Sequence, residues 1–321
     1  MRFEGVPTPG EQVIPDTHNF LKIIFLFALL LGAFSAAVAG VVQLERYQLD
    51  SWMAPAAKWT WLLLMGVIAS AAVQGLGVLA HDAVHKVLFG RLWLNELAGG
   101  IISAFSLLPF NANRRFHLLH HRFSHQRDRD PEQPMHKHNL LFAISGGSLI
   151  ALFLQYRMLL SNLFAASSEQ QRRFGAVKDL IYLSMGFGSY FILLPWFGLD
   201  PLYTFVPLFL TLPVVFGIRA ISDHYGLPEV VQKRPQQDAA APESNRILYE
   251  VGGWVILTHP FIEWLWSNVN YHEVHHKFPY LSHRYLKSTF AATRNALPYA
   301  VADGYLRNLW RHRKRRYYQP D

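Results

Sequence analysis

The chain has 321 residues, of which 51% are hydrophobic and only 16% charged, against roughly a quarter charged in ordinary soluble domains. That balance, with 23 Phe, 14 Tyr and 9 Trp, points to a membrane protein rather than a soluble enzyme. The absence of cysteine excludes disulfides, thiolate-ligated haem, cysteine-held iron–sulfur clusters and thiol catalysis.

Residues 1–19 place acidic side chains ahead of any apolar run, unlike a signal peptide, and are expected to be a cytosolic N-terminal segment. A spanning helix needs about 20 apolar residues. Residues 20–43 meet this with Lys22 near one end, and residues 59–80 with Gln74 as the polar exception. A second pair, 180–198 and 202–219, is joined by the turn signal "GLDP". Two further apolar stretches are interrupted: 92–110 by Asn95, Glu96, Gly99, Gly100 and Pro109, and 140–160 by Gln155 and Arg157. With a cytosolic N-terminus, two dipping segments keep residues 81–175 on one side, whereas a single crossing would split the histidine clusters. The polar stretch 228–246 reads as a mobile cytosolic loop. Residues 306–321 read as a basic cytosolic tail facing anionic lipid, and not as a nucleic-acid site. The expected fold is one all-α integral membrane domain over 1–321. It has four transmembrane helices, interfacial helices and a cytosolic histidine-rich cap holding two metals.

Nine of the 16 histidines form a pattern. His81 and His85 lie in "HDAVH", His117, His120 and His121 in "HLLHH", His224 in "SDHYG", and His272, His275 and His276 in "HEVHH". Positions i, i+3 and i+4 share one helix face, so each cluster can aim its rings at a common point. Several neutral imidazoles side by side pack poorly, because both ring nitrogens need partners. Nine ligands exceed one tetrahedral zinc and suit two metals with four or five each. His272-Glu273-Val274-His275-His276 also satisfies the H-E-x-x-H pattern of a zinc protease. That reading leaves the five histidines of the first two clusters unused.

Box by box, "HDAVHKVLFG", "FHLLHHRFSHQRDRDPE" and "NVNYHEVHHKFP" resemble the membrane fatty acid desaturase superfamily, in its acyl-lipid branch. The resemblance implies a non-haem di-iron centre, O2 as co-substrate, two electrons per turnover and an acyl chain in a tunnel beneath the metals. It implies that His81, His85, His117, His120, His121, His224, His272, His275 and His276 are the metal ligands. Trp, Phe and Gly in 59–80 and 181–198 are expected to line the tunnel. Where some members place an Asn before the extra histidine, this chain has Ala220, and Asp223 or Asn268 is expected to compensate. His125 is expected behind the ligands, and Asp82 and Glu273 are expected to orient ligand imidazoles. Asp130 and its acidic neighbours are expected to do the same or to pair with Arg127 and Arg129. His18, His136, His138, His259, His283 and His312 read as ordinary surface or interface residues.

Desaturation of an acyl chain is the expected reaction. Hydroxylation or ketolation by oxygen rebound, and decarboxylation to a terminal alkene, are alternatives the ligand pattern leaves open. No G-x-G-x-x-G or haem-binding H-P-G-G segment is present, so the electrons are expected from a separate ferredoxin- or cytochrome-type donor. The basic tail, with Lys233 and Arg234, is a candidate docking surface for it.

Overall fold

The computed structural model describes residues 3–47, 52–136, 139–227 and 250–314. The loop 228–246, with Lys233 and Arg234, and the end of the basic tail lie outside the described residues.

Two long apolar helices open the fold, α1 (Asp16–Arg46) and α2 (Met53–Val84). At about 1.5 Å per residue each exceeds a roughly 30 Å hydrocarbon layer. They run antiparallel. Asn19 Nδ2 donates to the Leu88 carbonyl and Gly90 N–H to Asp16 Oδ1, which ties the start of α1 to the exit of α2. At the other end Lys58 reaches both Glu45 and Tyr203.

Next come α3 (Leu92–Phe105) and α4 (Phe110–Phe123), bent by 100° at a break before Pro109. Pro109 cannot donate and forces the preceding residue out of the helical region. The pair leaves from the α2 exit and brings His117–His121 back beside His85, so it dips and returns. A short turn, α5 (Gln133–His136), leads into α6 (Leu140–Leu163), N-capped by Asn139. Then follow α7 (Gln170–Gly188), a π-turn (Ser189–Leu193), α8 (Leu194–Trp196) and α9 (Phe205–Ser222).

Five of these helical segments are long and apolar enough to span, or six with the bent pair. Near its start α6 bonds α9 through Ser148 Oγ and the Pro213 carbonyl. At its end Asn162 accepts from Arg115, two residues before His117. Its last turn therefore lies toward the histidine face, while Ser148 packs against the middle of α9. By length and composition the candidate spans are α1, α2, α6, the run through α7 and α8, and α9. Ser70 Oγ on α2 meets Thr211 Oγ1 on α9 at 2.8 Å, one polar link in an apolar interface.

The remaining described chain caps the histidine face. It holds β1 (Trp254–Leu257), α10 (Pro260–Leu265), α11 (His272–Lys277), α12 (His283–Thr293), β2 (Ala300–Asp303) and α13 (Tyr305–His312). The two strands pair in parallel, Trp254 opposite Ala300. The pair is a small addition to a mostly helical fold. "WVIL" is a short apolar run with two β-branched residues after a Gly pair, which favours a strand. The strand organises the site: Trp254 N–H donates to the Asp223 carbonyl and Ile256 N–H to that of Asn270.

Candidate metal centre

Four elements deliver the histidines. The last turn of α2 carries His81, with His85 capping it. Helix α4 carries His117, His120 and His121, and α11 carries His272, His275 and His276. His224 follows α9 directly.

The nine rings form two groups, in each of which the ligand atoms lie within 4.8 Å of one another. His81, His85, His117, His121 and His275 make the first; His120, His224, His272 and His276 make the second. The 3.6-residue period explains the division of box two: His117 and His121 share one line, and His120 faces the other group.

In the five-membered group the Nε2 atoms of His85 and His117 are 2.9 Å apart, those of His117 and His121 2.8 Å, and those of His121 and His275 2.9 Å. Both nitrogens of the half-buried His81 ring are shielded from solvent and have no hydrogen-bond partner. In the four-membered group, Nε2 of His276 lies 3.3 Å from that of His120 and 3.0 Å from that of His272, which is 3.0 Å from that of His224. An imidazole nitrogen has one in-plane site, a proton or a lone pair. Yet His117, His121, His272 and His276 each point Nε2 at two neighbours. A cation at each shared point resolves this, so the donor set fits two nitrogen-preferring metals. Burial, then neighbouring charge, holds His224, His272, His275 and His276 well below the usual imidazole range, which keeps them in the neutral, ligating form.

Behind the four-membered group stand specific partners. His120 Nδ1 donates to Asp130 Oδ1 at 2.9 Å, and Asp130 Oδ2 accepts from His125 N–H at 2.8 Å. Positive φ angles at His125 and Asp128 turn the chain so that Asp130 faces back. Ser124 Oγ lies 3.3 Å from His276 Nδ1. His125 Nε2 lies 3.3 Å from His224 Nδ1 and 2.9 Å from the Gly252 carbonyl oxygen. Asp223 lies 3.7 Å from His272 Nδ1 and pairs with Arg219 at 2.8 Å. Burial pushes its carboxyl up to about 7 against the pull of Arg219.

Three expected supporting residues act elsewhere. Asp82 Oδ2 takes Nδ1 of the buried His283 at 2.6 Å, while Oδ1 stays 3.8 Å from His81 Nδ1. Asn268 donates to the His283 carbonyl and does not reach the histidine groups. Glu273 accepts from Gly252 N–H at 2.7 Å and pairs with Lys277. It braces the Gly pair and is not available as a protease base. His312 is also buried, tilted against Trp254, and not a surface residue.

Sequence reasoning missed Gly252 and Gly253. A Cβ at Gly253 would sit 2.8 Å from the His272 ring, and one at Gly252 would sit 2.9 Å from His276 Nδ1. The signal was the "VGGW" pair before an apolar run.

A largely apolar cavity of about 210 Å3 runs from His81, His117, His224 and His272 toward Tyr190, Phe205 and Leu208. Its walls differ from expectation. Val73, Gly77 and Val78 come from 59–80, but only Tyr190 comes from 181–198, and α6 and α9 supply much of the rest. The π-turn at Ser189–Leu193 accompanies Tyr190, whose hydroxyl donates to the Phe105 carbonyl.

The chain belongs to the fatty acid desaturase family, whose description matches residues 57–303; these enzymes are di-iron oxidoreductases. It is 25% identical over 246 residues to an sn-1 oleoyl-lipid 12-desaturase of Picosynechococcus sp., covering 68% of this chain and 65% of that one. It is 25% identical over 284 residues to a Delta(5) fatty acid desaturase of Caenorhabditis elegans, covering 78% and 62%. A shorter match to an sn-1 oleoyl-lipid 12-desaturase of Anabaena variabilis is 30% identical over 98 residues, covering 30% and 27%. The chain spans less than two thirds of the length of each of these relatives.

Proposed function

We propose that the protein is an O2-dependent oxidase that desaturates the acyl chain of a membrane lipid or fatty acid, with the nine histidines holding two iron ions. The observation that carries this reading is the pair of imidazole groups at the head of an apolar cavity. Two bound irons, given O2 and electrons, supply an oxidant able to break an unactivated C–H bond. The cavity walls hold an extended chain with its methylenes next to the histidines, which provides positioning. Burial of the ligand rings keeps water from the reacting carbon. Asp130 fixes the tautomer and tilt of His120.

The histidine face is cytosolic in this reading. The connection opposite it between α8 and α9, residues 197–204, carries no Lys or Arg, as the positive-inside rule predicts for the outer side. Electrons come from a separate ferredoxin- or cytochrome-type donor.

The test is to load purified protein with iron anaerobically, count metals by mass spectrometry, and profile the lipids of an expressing host. About two irons per chain and new double bonds without added oxygen are expected, since five- and four-imidazole sites suit two ions. New alcohols would replace desaturation by hydroxylation on the same site. A single zinc and unchanged lipids would refute the proposal.

A further inference from the structure

A second cavity, of about 350 Å3, lies apart from the histidine groups, where α1 begins. Its walls include His18, Lys22, Trp264, Ser267, His283 and Arg284. Lys22 is only 5% exposed, and its ammonium donates to the Trp264 carbonyl. Among the described residues no carboxylate lies within ion-pair distance of it. Two carboxylates near these walls are already engaged, Asp82 by His283 at 2.6 Å and Glu263 by Lys287 at 2.7 Å. Ser267 is 1% exposed, and its Oγ has no hydrogen-bond partner. A buried ammonium, an exposed guanidinium and an unused hydroxyl therefore line one concave space. Such a donor set matches a phosphate, which offers several acceptor oxygens and a negative charge.

We propose that this cavity binds a phosphate group, presented by an anionic lipid headgroup. The surroundings favour the lipid source. Leu21, Phe25, Phe261 and Trp264 are exposed around the mouth, giving an apolar surface for acyl chains at the level where Trp favours the interface. Its walls share no residue with the two histidine groups.

The experiment uses the full chain, iron-loaded, in nanodiscs of equimolar phosphatidylcholine and phosphatidylglycerol. Lipid retained through gentle detergent extraction is quantified by mass spectrometry for wild type, Lys22→Met and Arg284→Glu. Arg284 is exposed, so its variant should fold even if Lys22→Met does not. Thermal unfolding in pure phosphatidylcholine checks this. Wild type should retain phosphatidylglycerol preferentially, with about a fivefold loss of preference per cation removed. Stabilisation of detergent-purified wild type by millimolar inorganic phosphate, lost in Arg284→Glu and without lipid enrichment, would assign the same site to free phosphate. Equal retention by wild type and Arg284→Glu, with no response to phosphate, would overturn the proposal.

Discussion

The two histidine groups are held in different ways. The five-membered group has more rings, and two carboxylates behind it stand back: Asp82 is 3.8 Å from His81 Nδ1, and Glu132 is 4.0 Å from His117 Nδ1. The four-membered group has fewer rings, and three of them are backed by Asp130, Ser124 and His125, while His272 Nδ1 has Asp223 no nearer than 3.7 Å. One site gains its definition from the number of donors. The other gains it from the side chains that fix where three of its donors point.

The largest expected effect comes from removing one ring at a time. His276→Ala should empty the four-membered site and leave about one iron per chain, His275→Ala, which leaves four imidazoles, should weaken the five-membered site, and both should abolish turnover in a reaction that needs both ions. Metal counting on the purified variants checks this, and loss of both irons from either variant would show that the groups assemble as one unit. Next in size is Asp130→Asn. It should weaken the four-membered site by about 10–100-fold and leave the other unchanged, as read by competition with a chelator. Equal weakening of both sites would break the contrast. The smallest effect is that of Gly253→Ala. The new Cβ meets the His272 ring at 2.8 Å, so a cost of about 1–3 kcal/mol is expected. Thermal unfolding measures it, and an unchanged midpoint would mean that β1 yields easily.

Much of this was legible in the sequence because helical periodicity is local. The spacing in "HLLHH" places three rings on adjoining lines of one helix, and the apolar runs give helix lengths directly. What stayed hidden depends on distant chain. Asp82 and His283 are 201 residues apart and meet only when α12 packs over the end of α2. Asp82 therefore looked like a support for its neighbour His81. Glu273 lies inside a metal box, yet it points at the backbone of Gly252. The strand pair also escaped, because its partner stretches lie on either side of α10, α11 and α12 and neither carries a hairpin signal.

The arrangement of connections has a consequence for how the protein is made. On the proposed topology the crossings form two helical hairpins, α1 with α2 and α7–α8 with α9. With the histidine face cytosolic, as proposed, a ribosome-bound insertion machine would translocate only the two short connections that close these hairpins. Every residue of the metal groups would then stay on the side where it was synthesised, and both sites would be filled from a single pool of metal.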